Sequence, residues 1–520
     1  MASIARNFYR EGMNIFYPRI DWRGDGPGYV EMEFPIFPWL IAALYEEFGL
    51  HEVLGRLLAL SFSVLGLVVF HRFATRLLSE FAASMALLFF ALSPLPIHLG
   101  SSLQPDGLMF VSYLIAVFAF YRWAAENSRW HYWAAMIATA LAILAKAPAA
   151  HIGVLFAVLL YEHRGARFFF SARPMLFAVV SLVPAALWYR HAHGLWMDYG
   201  NSLGVSNGYH WVGTALFTDP GFAVGILRQE ILFVWTETGW ILGVVAVLFF
   251  RSHRVVKLCI PWLVAIAAFY LLSAGSAAEL WARYYHVVSV APAALLFGLG
   301  SQAVRDRFVA LDRPKVLALS AAFLALGTVF IRRVGMVGNL TSGDRILPAH
   351  LGWVTSLFGL AALTMLFAMR RRNAARTTVP ALILLYAFMT AFFLELHQIS
   401  YLYVGQSQSP EYQCAKEVLA PAVREGALIV VSGGGCWLPD GTPGAYNASY
   451  FFYWLDRKGF NVCIEEQSLE KLEQLRKRGA EYFVAEEWAL DHVPALETEL
   501  ESKLGVLRRC KATLLFRLKT

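Results

Sequence analysis

The segment that decides the fold is Tyr17-Pro-Arg-Ile-Asp-Trp-Arg-Gly-Asp-Gly-Pro-Gly-Tyr-Val-Glu-Met-Glu-Phe-Pro-Ile36, which is polar and precedes a largely apolar chain. Its glycines and its Pro27 exclude a regular helix across residues 24–28. The segment carries four carboxylates and two guanidinium groups, on Asp21, Asp25, Glu31, Glu33, Arg19 and Arg23. Such a loop at the edge of a membrane domain predicts chemistry on a charged substrate, although an ordinary solvated loop has the same composition.

The composition indicates a polytopic membrane protein. The 520 residues are 58% hydrophobic and only 16% charged, whereas soluble domains carry roughly 25% charged residues. The net charge of +7 does not require a nucleic acid partner, because the basic residues lie in short loops between apolar segments. Membrane lipids are therefore the expected surroundings.

Hydropathy predicts two short helices followed by about twelve membrane spans. Residues 2–12 form an amphipathic helix that ends at Gly12, and Pro35–Gly49 is too short to cross a bilayer, so it is expected to lie in the interface. The predicted spans are 53–71, 81–100, 105–124, 131–147, 149–162, 174–192, 230–250, 258–275, 285–303, 315–332, 350–369 and 379–398.

The distribution of Lys and Arg predicts the orientation of these spans. One set of alternating loops is rich in basic residues, for example Arg370–Arg372, and is expected to be cytoplasmic. The opposite set, which contains residues 104–106 and the C-terminal region, is then periplasmic. An even number of spans also places residues 1–52 outside, although nothing in this chain would export them. We therefore expect a further transmembrane helix upstream of Met1.

The chain divides into an extracytoplasmic segment over 1–52, a transmembrane domain over 53–398 and a periplasmic domain over 399–520. Strands at 427–432, 460–464 and 482–485 alternate with helices in the last part and precede a hairpin at 505–519. This order predicts a small α/β domain with a mainly parallel sheet. Its four cysteines are expected to form at least one disulfide in an oxidising periplasm, with the pairing left open: Cys414, Cys436, Cys463 and Cys510.

Several motifs together resemble the GT-C glycosyltransferases, which are integral membrane enzymes that take sugars from polyprenyl-phosphate carriers. The resemblance is to bacterial relatives of the protein O-mannosyltransferases, the lipid A aminoarabinose transferase and the rhizobial core transferases. It covers essentially the whole chain and implies a mainly α, GT-C-type helical bundle whose first helix is missing from this chain. The segments that carry it are 4–9, 17–24, 33–35, 104–106, 145–148, 283–285 and 456–459.

The resemblance also implies roles for individual carboxylates. In this family an Asp of the first outer loop is the general base, and its position falls just before the segment matching 2–5, so Asp21 and Asp25 are the nearest candidates here. Asp106 matches a second acidic residue that positions the acceptor or a metal; a helix-capping role is the alternative. Glu33 matches a loop acid that can bind a divalent metal, and metal dependence stays open.

The leaving polyprenyl phosphate needs fixed cations. Lys146 and Arg283, which precedes Tyr284 and Tyr285, are candidates for this contact, although either could instead reach lipid headgroups. Arg19 and Arg23 are further candidates for binding a charged substrate. Glu237 lies inside an apolar run, where a carboxylate is either functional or hydrogen-bonded to a neighbouring helix.

These observations predict an inverting glycosyltransferase of the bacterial inner membrane. It would move a hexosyl or pentosyl group from a polyprenyl-phosphate donor to a lipid, glycan or protein acceptor on the periplasmic face. The alternatives are a lipid-linked sugar transporter or a GT-C protein that lacks its base. A transporter is expected to show repeated halves and interrupted spans at the midplane.

Overall fold

The structure is a computed structural model that describes residues 1–205, 220–273, 277–310, 410–435 and 450–518. These residues form a mainly helical membrane domain and a small C-terminal sheet domain, which confirms the predicted fold class. The helices before the sheet domain are α1 (Ala2–Glu11), α2 (Ile36–Phe48), α3 (Glu52–Leu77), α4 (Glu80–Leu92), α5 (Pro94–Ser101), α6 (Asp106–Glu126), α7 (Arg129–Ala145), α8 (Ile152–Arg164), α9 (Ala172–Tyr199), α10 (Pro220–Gln229), α11 (Thr236–Phe249), α12 (Arg254–Leu272) and α13 (Val290–Ala310).

The two short helices predicted before the spans are both present. Helix α1 buries Ile4 and Phe8 on one face and ends at Gly12, whose φ of 115° suits a residue without a side chain. Helix α2 buries Phe37 and Ile41, which are four residues apart and therefore share a face. Both helices pack together beside the acidic segment.

Five helices of the described residues are long and apolar enough to cross a membrane, or up to seven if each of two bent pairs counts as one span. Nine predicted spans fall in this part of the chain. Helices α7 and α8 are shorter than a span because a turn at Ala147–His151, which contains Pro148, separates them. The predicted spans 315–332, 350–369 and 379–398 lie outside the described residues.

The membrane core is built around α6 and α13, the most buried candidate spans of the described part. Close packing of α13 on α4 depends on Gly298, because a Cβ atom there would contact the backbone oxygen of Ala82. The linker between α6 and α7 consists of Asn127 and Ser128, so these helices form a tight antiparallel hairpin. The start of α6 and the end of α7 therefore lie at the same end of the bundle.

The C-terminal domain contains a five-stranded sheet in the order β2-β1-β3-β5-β4. Strands β1 to β3 are parallel and β5 is antiparallel to β3 and β4, so the sheet is mixed, with two parallel and two antiparallel pairings, rather than mainly parallel as predicted. Its elements are α14 (Pro410–Cys414), β1 (Leu428–Ser432), α15 (Tyr450–Leu455), β2 (Lys458–Val462), α16 (Leu469–Lys477), β3 (Ala480–Glu486), α17 (Glu487–Leu490), α18 (Pro494–Lys503), β4 (Val506–Cys510) and β5 (Thr513–Arg517).

A disulfide joins Cys414 of α14 to Cys510 of β4, with their Cα atoms 5.9 Å apart. This confirms the expectation that the tail contains at least one disulfide. Cys463 is disulfide-bonded as well, while Cys436 lies outside the described residues. Cys259, by contrast, is a free and buried thiol within α12.

Candidate active site

A buried ion pair forms the centre of the candidate site. Asp106 is the first residue of α6, and Lys146 directly follows α7, so the tight α6–α7 hairpin brings them together across 40 residues of sequence. The Lys146 Nζ atom donates to Asp106 Oδ1 at 2.7 Å, and both side chains are almost completely buried. A charged pair is costly to bury, so helix capping by Asp106 alone does not explain why both side chains are buried here.

Two aromatic rings cover the ammonium group of this pair. The turn Leu280–Ser289, which precedes α13, places the rings of Tyr284 and Tyr285 at 4.0 and 4.8 Å from Lys146 Nζ. Such cation–π contacts stabilise a desolvated cation. Arg283 belongs to the same turn, and His98 of α5 is within electrostatic reach of both Arg283 and Asp106.

The end of the acidic segment approaches this pair as well. The backbone N–H of Phe34 donates to the Leu144 carbonyl of α7 at 3.1 Å, which places Glu33 beside Lys146. Burial raises the pKa of Glu33, and Asp106 raises it further, while the Lys146 charge opposes both effects. A carboxylate of raised pKa next to a cation is a common feature of functional sites.

Helix α9 completes the wall around the turn after Lys146. The Tyr189 hydroxyl accepts a hydrogen bond from the Ala147 N–H at 3.0 Å. Its neighbour Trp188 donates from Nε1 to the Met32 carbonyl at 3.0 Å, which fixes the loop just before Glu33. The structure thus brings together Asp106, Lys146, Glu33, Tyr284 and Tyr285, all of which the sequence identified separately.

Asp21 lies in a different environment, at the contact between α1 and the C-terminal domain. Its carboxylate is fully buried and accepts hydrogen bonds from Arg6 Nη2 and Asn7 Nδ2, both at 2.9 Å. Arg6 is also paired with Asp456 of the C-terminal domain at 2.8 Å. Burial raises the pKa of Asp21, although Arg6 and Asn7 lower it. These contacts join the acidic segment to α1 and, through Arg6, to the C-terminal domain.

Asp25, Arg19 and Arg23 of the acidic loop also contact the C-terminal domain or α1. Asp25 is paired with Arg478 at 2.5 Å on the surface, and the hydrogen bond from Arg478 lowers the pKa of Asp25. Arg19 and Arg23 both pair with Glu11 of α1, at 3.3 and 2.8 Å. These side chains do not join the contacts around Lys146 in the described residues.

Glu31 is a buried carboxylate of the same segment that accepts a hydrogen bond from Ser202. Its backbone N–H and carbonyl pair with Asn201 and Leu203, so it ties the loop to the chain that follows α9. The side chain of Glu237, a candidate from the sequence, lies outside the described residues.

Sequence reasoning missed a buried polar cluster around Glu230. This carboxylate accepts hydrogen bonds from His286, Tyr270 and Ser289, at 2.6, 2.7 and 3.0 Å. Glu230 is the first residue of a predicted span, where a carboxylate looks like an ordinary boundary residue. His286, which directly follows Tyr285, is the residue in the sequence that could have indicated this cluster.

Metal binding has limited support in the described residues, which contain no group of three or more His, Cys, Asp or Glu side chains placed to hold an ion. Glu33 and Asp106 supply two carboxylates, and the Lys146 ammonium already neutralises Asp106. Metal binding by Glu33 stays a prediction, and the chemistry below uses no metal.

Part of the chain is similar to a known protein family. Residues 27–189 match the family model described as dolichyl-phosphate-mannose-protein mannosyltransferase, a range that includes Glu33, Asp106 and Lys146. No curated protein sequence matches the chain significantly.

Among solved structures, the chain resembles ArnT from Cupriavidus metallidurans in two states. The apo form has a TM-score of 0.64 at 18% identity, with 100% of this chain and 92% of ArnT covered. The form bound to undecaprenyl phosphate has a TM-score of 0.61 at 18% identity, with 100% and 93% covered. The resemblance to GT-C glycosyltransferases is thereby confirmed: the chain has their fold and is a multi-pass membrane protein. The family match supports a transferase.

Proposed function

We propose that this protein is an inverting glycosyltransferase that moves a sugar from a polyprenyl-phosphate carrier to an acceptor hydroxyl on the periplasmic face of the inner membrane. The observation that carries the proposal is the buried Asp106–Lys146 pair beneath Tyr284 and Tyr285. It combines a fixed cation, a carboxylate and aromatic faces at one end of the membrane bundle.

The reaction is a single displacement. The acceptor oxygen forms a bond to the anomeric carbon while the bond from that carbon to the phosphate oxygen breaks, so the configuration is inverted. The electron pair of the broken bond stays on the polyprenyl phosphate, whose growing charge requires preorganised cations. We assign Lys146 and Arg283 to this contact.

The acceptor hydroxyl also loses a proton during the displacement. Asp106 and Glu33 are the carboxylates that the described residues offer beside Lys146. We assign proton acceptance to Asp106 and Glu33, because Asp21 and Asp25 contact α1 and the C-terminal domain rather than the surroundings of Lys146. Tyr284 and Tyr285 hold the Lys146 ammonium and border the space for the sugar.

Donor binding provides the test. The full chain in lipid nanodiscs should bind undecaprenyl phosphate, and Lys146→Met should weaken that binding by about tenfold or more, because a charge-assisted contact is worth about 1.5–3 kcal/mol. Lys257→Met, which removes an exposed cation from α12, is the matched control and should bind normally. Equal binding by wild type and Lys146→Met would refute this site assignment.

A further inference from the structure

A carboxylate buried inside the membrane domain holds the turn that carries the aromatic part of the candidate site. Glu230 accepts hydrogen bonds from His286, which lies within the turn Leu280–Ser289, and from Ser289, which ends it. It also accepts hydrogen bonds from Tyr270 of α12 and from Trp235 Nε1, the latter at 2.9 Å. A carboxylate inside a membrane domain is costly to bury, so its four hydrogen-bond donors indicate that the surrounding residues are arranged to bind it.

Gln229, the residue before Glu230, binds the chain just before the turn. Gln229 Nε2 donates to the carbonyl oxygens of Ala277 and Glu279, at 3.0 and 2.9 Å. The second ring nitrogen of His286 also lies 2.8 Å from the Ala277 carbonyl. Gln229 and Glu230 therefore bind both ends of the Leu280–Ser289 turn, where Arg283, Tyr284 and Tyr285 are located.

The backbone around Glu230 departs from a regular helix to make these bonds. Residues Glu230–Trp235 form a π-helical stretch, a feature often found at functional sites. Thr236 follows with a φ of 51°, which is strained for a β-branched residue. The chain bends by 90° between Trp235 and Gly239. Such strain persists only where surrounding contacts compensate for it.

A short path of contacts leads from Glu230 to Lys146. His286 is fully buried, and its ring centroid lies 4.4 Å from that of Tyr270. The preceding residue, Tyr285, has its ring centroid 4.8 Å from Lys146 Nζ. A rotation of the turn that broke the His286–Glu230 bond would therefore also displace the aromatic cover of the ammonium.

From this geometry we propose that Glu230 is a positioning residue, which acts through His286 to hold Tyr284 and Tyr285 over Lys146. The inference that Glu230 fixes the turn stands on the contacts alone. Its consequence for donor affinity rests on the proposed function. Small displacements of a binding group can cost up to about a hundredfold in function, so a remote support is expected to have a measurable effect.

The test combines two readouts on the full chain in nanodiscs. Amide hydrogen exchange over residues 280–289 should accelerate in Glu230→Ala, while exchange in α6 stays at the wild-type rate. The dissociation constant for undecaprenyl phosphate should rise about tenfold. Glu230→Gln keeps an acceptor oxygen for Tyr270 and Ser289 and should restore most of both properties.

A matched serine pair keeps the test decisive if Glu230→Ala fails to fold. Ser289→Ala removes one bond to Glu230, whereas Ser301→Ala in α13 removes only a local bond to the Phe297 carbonyl. Both serines are buried. The proposal expects faster exchange over 280–289 and weaker binding in Ser289→Ala alone.

Failure of the proposed function and failure of the positioning role would give different results. If wild type does not bind undecaprenyl phosphate, the proposed function is wrong, while exchange over 280–289 still decides the role of Glu230. If wild type binds and the Glu230 and Ser289 variants match it in exchange and affinity, the positioning role is wrong. In Ser289→Ala, acceleration spread equally over α6 and the turn also overturns it, because the bond to Glu230 would then not act on the turn in particular.

Discussion

Asp106 and Asp21 are both buried aspartates paired with a cation, at 2.7 and 2.9 Å, yet their surroundings differ. Asp21 is surrounded by donors from α1, and its partner Arg6 bonds onward to the C-terminal domain. Both cations also contact an aromatic ring and a second carboxylate, since Arg6 lies over Tyr453 and pairs with Asp456, while Lys146 lies over Tyr284 and Tyr285 beside Glu33. The two pairs differ in where these groups come from: those around Arg6 belong to the C-terminal domain, and those around Lys146 belong to the membrane bundle and the loop that enters it.

The largest expected effect is on stability, at the structural pair. Asp21→Ala should lower the free energy of unfolding by about 3 kcal/mol, because it removes a partner from the buried Arg6. Its affinity for undecaprenyl phosphate should stay near the wild-type value. Thermal unfolding in detergent, measured beside donor binding, checks both expectations. A normal melting temperature with lost binding would exchange the roles of the two aspartates.

The next effect concerns turnover at the candidate site. Asp106→Asn keeps the shape of the side chain but removes its charge, and it should lower sugar transfer by about a hundredfold. Membrane insertion should be unaffected, since α6 keeps its apolar packing. The measurement is release of polyprenyl phosphate from a lipid-linked sugar donor. Turnover close to that of wild type would remove Asp106 from the reaction.

A smaller effect is predicted for the pH dependence of undecaprenyl phosphate binding. Since burial raises the pKa of Glu33, this carboxyl holds its proton to higher pH than usual and then adds a negative charge beside Lys146. Binding of undecaprenyl phosphate should therefore weaken as pH rises through the raised pKa. Glu33→Gln should remove that part of the dependence. The phosphate also titrates, but equally for both proteins, so identical pH profiles would contradict the role of Glu33.

The smallest effect is expected at the exposed pair. Asp25→Ala breaks the contact with Arg478 on the surface, where ion pairs are worth at most about 1 kcal/mol. Stability, donor binding and turnover should all remain close to those of wild type. A hundredfold loss of turnover in this variant would restore Asp25 as a candidate base.

The sequence predicts the fold well because local patterns determine it. Apolar runs, the face of α1 and the strand–helix alternation after residue 410 all reflect short-range periodicity. Asp106, Lys146 and Tyr284 were found by motif. Their joint arrangement depends on the α6–α7 hairpin and on a turn more than a hundred residues later, which periodicity does not encode.

Two features could not be read from the sequence for physical reasons. Asp21 and Asp106 are the same residue type, and only long-range contacts with Arg6 or Lys146 distinguish an anchor from a site. Glu230 stands at the edge of an apolar run, where its burial depends on donors from α12 and the turn before α13. A local sequence pattern contains no information about these contacts with distant segments.

The central claim is that the carrier phosphate binds beside Lys146, and photo-crosslinking tests it most directly. An undecaprenyl phosphate analogue with a diazirine on the isoprene unit next to the phosphate would be activated on the full chain, and the labelled peptides identified by mass spectrometry. The account predicts labelling within residues 142–151 and 280–289, with loss of labelling in Lys146→Met. Labelling confined to residues 17–28 and 456–478, around Asp21 and Asp25, would contradict it.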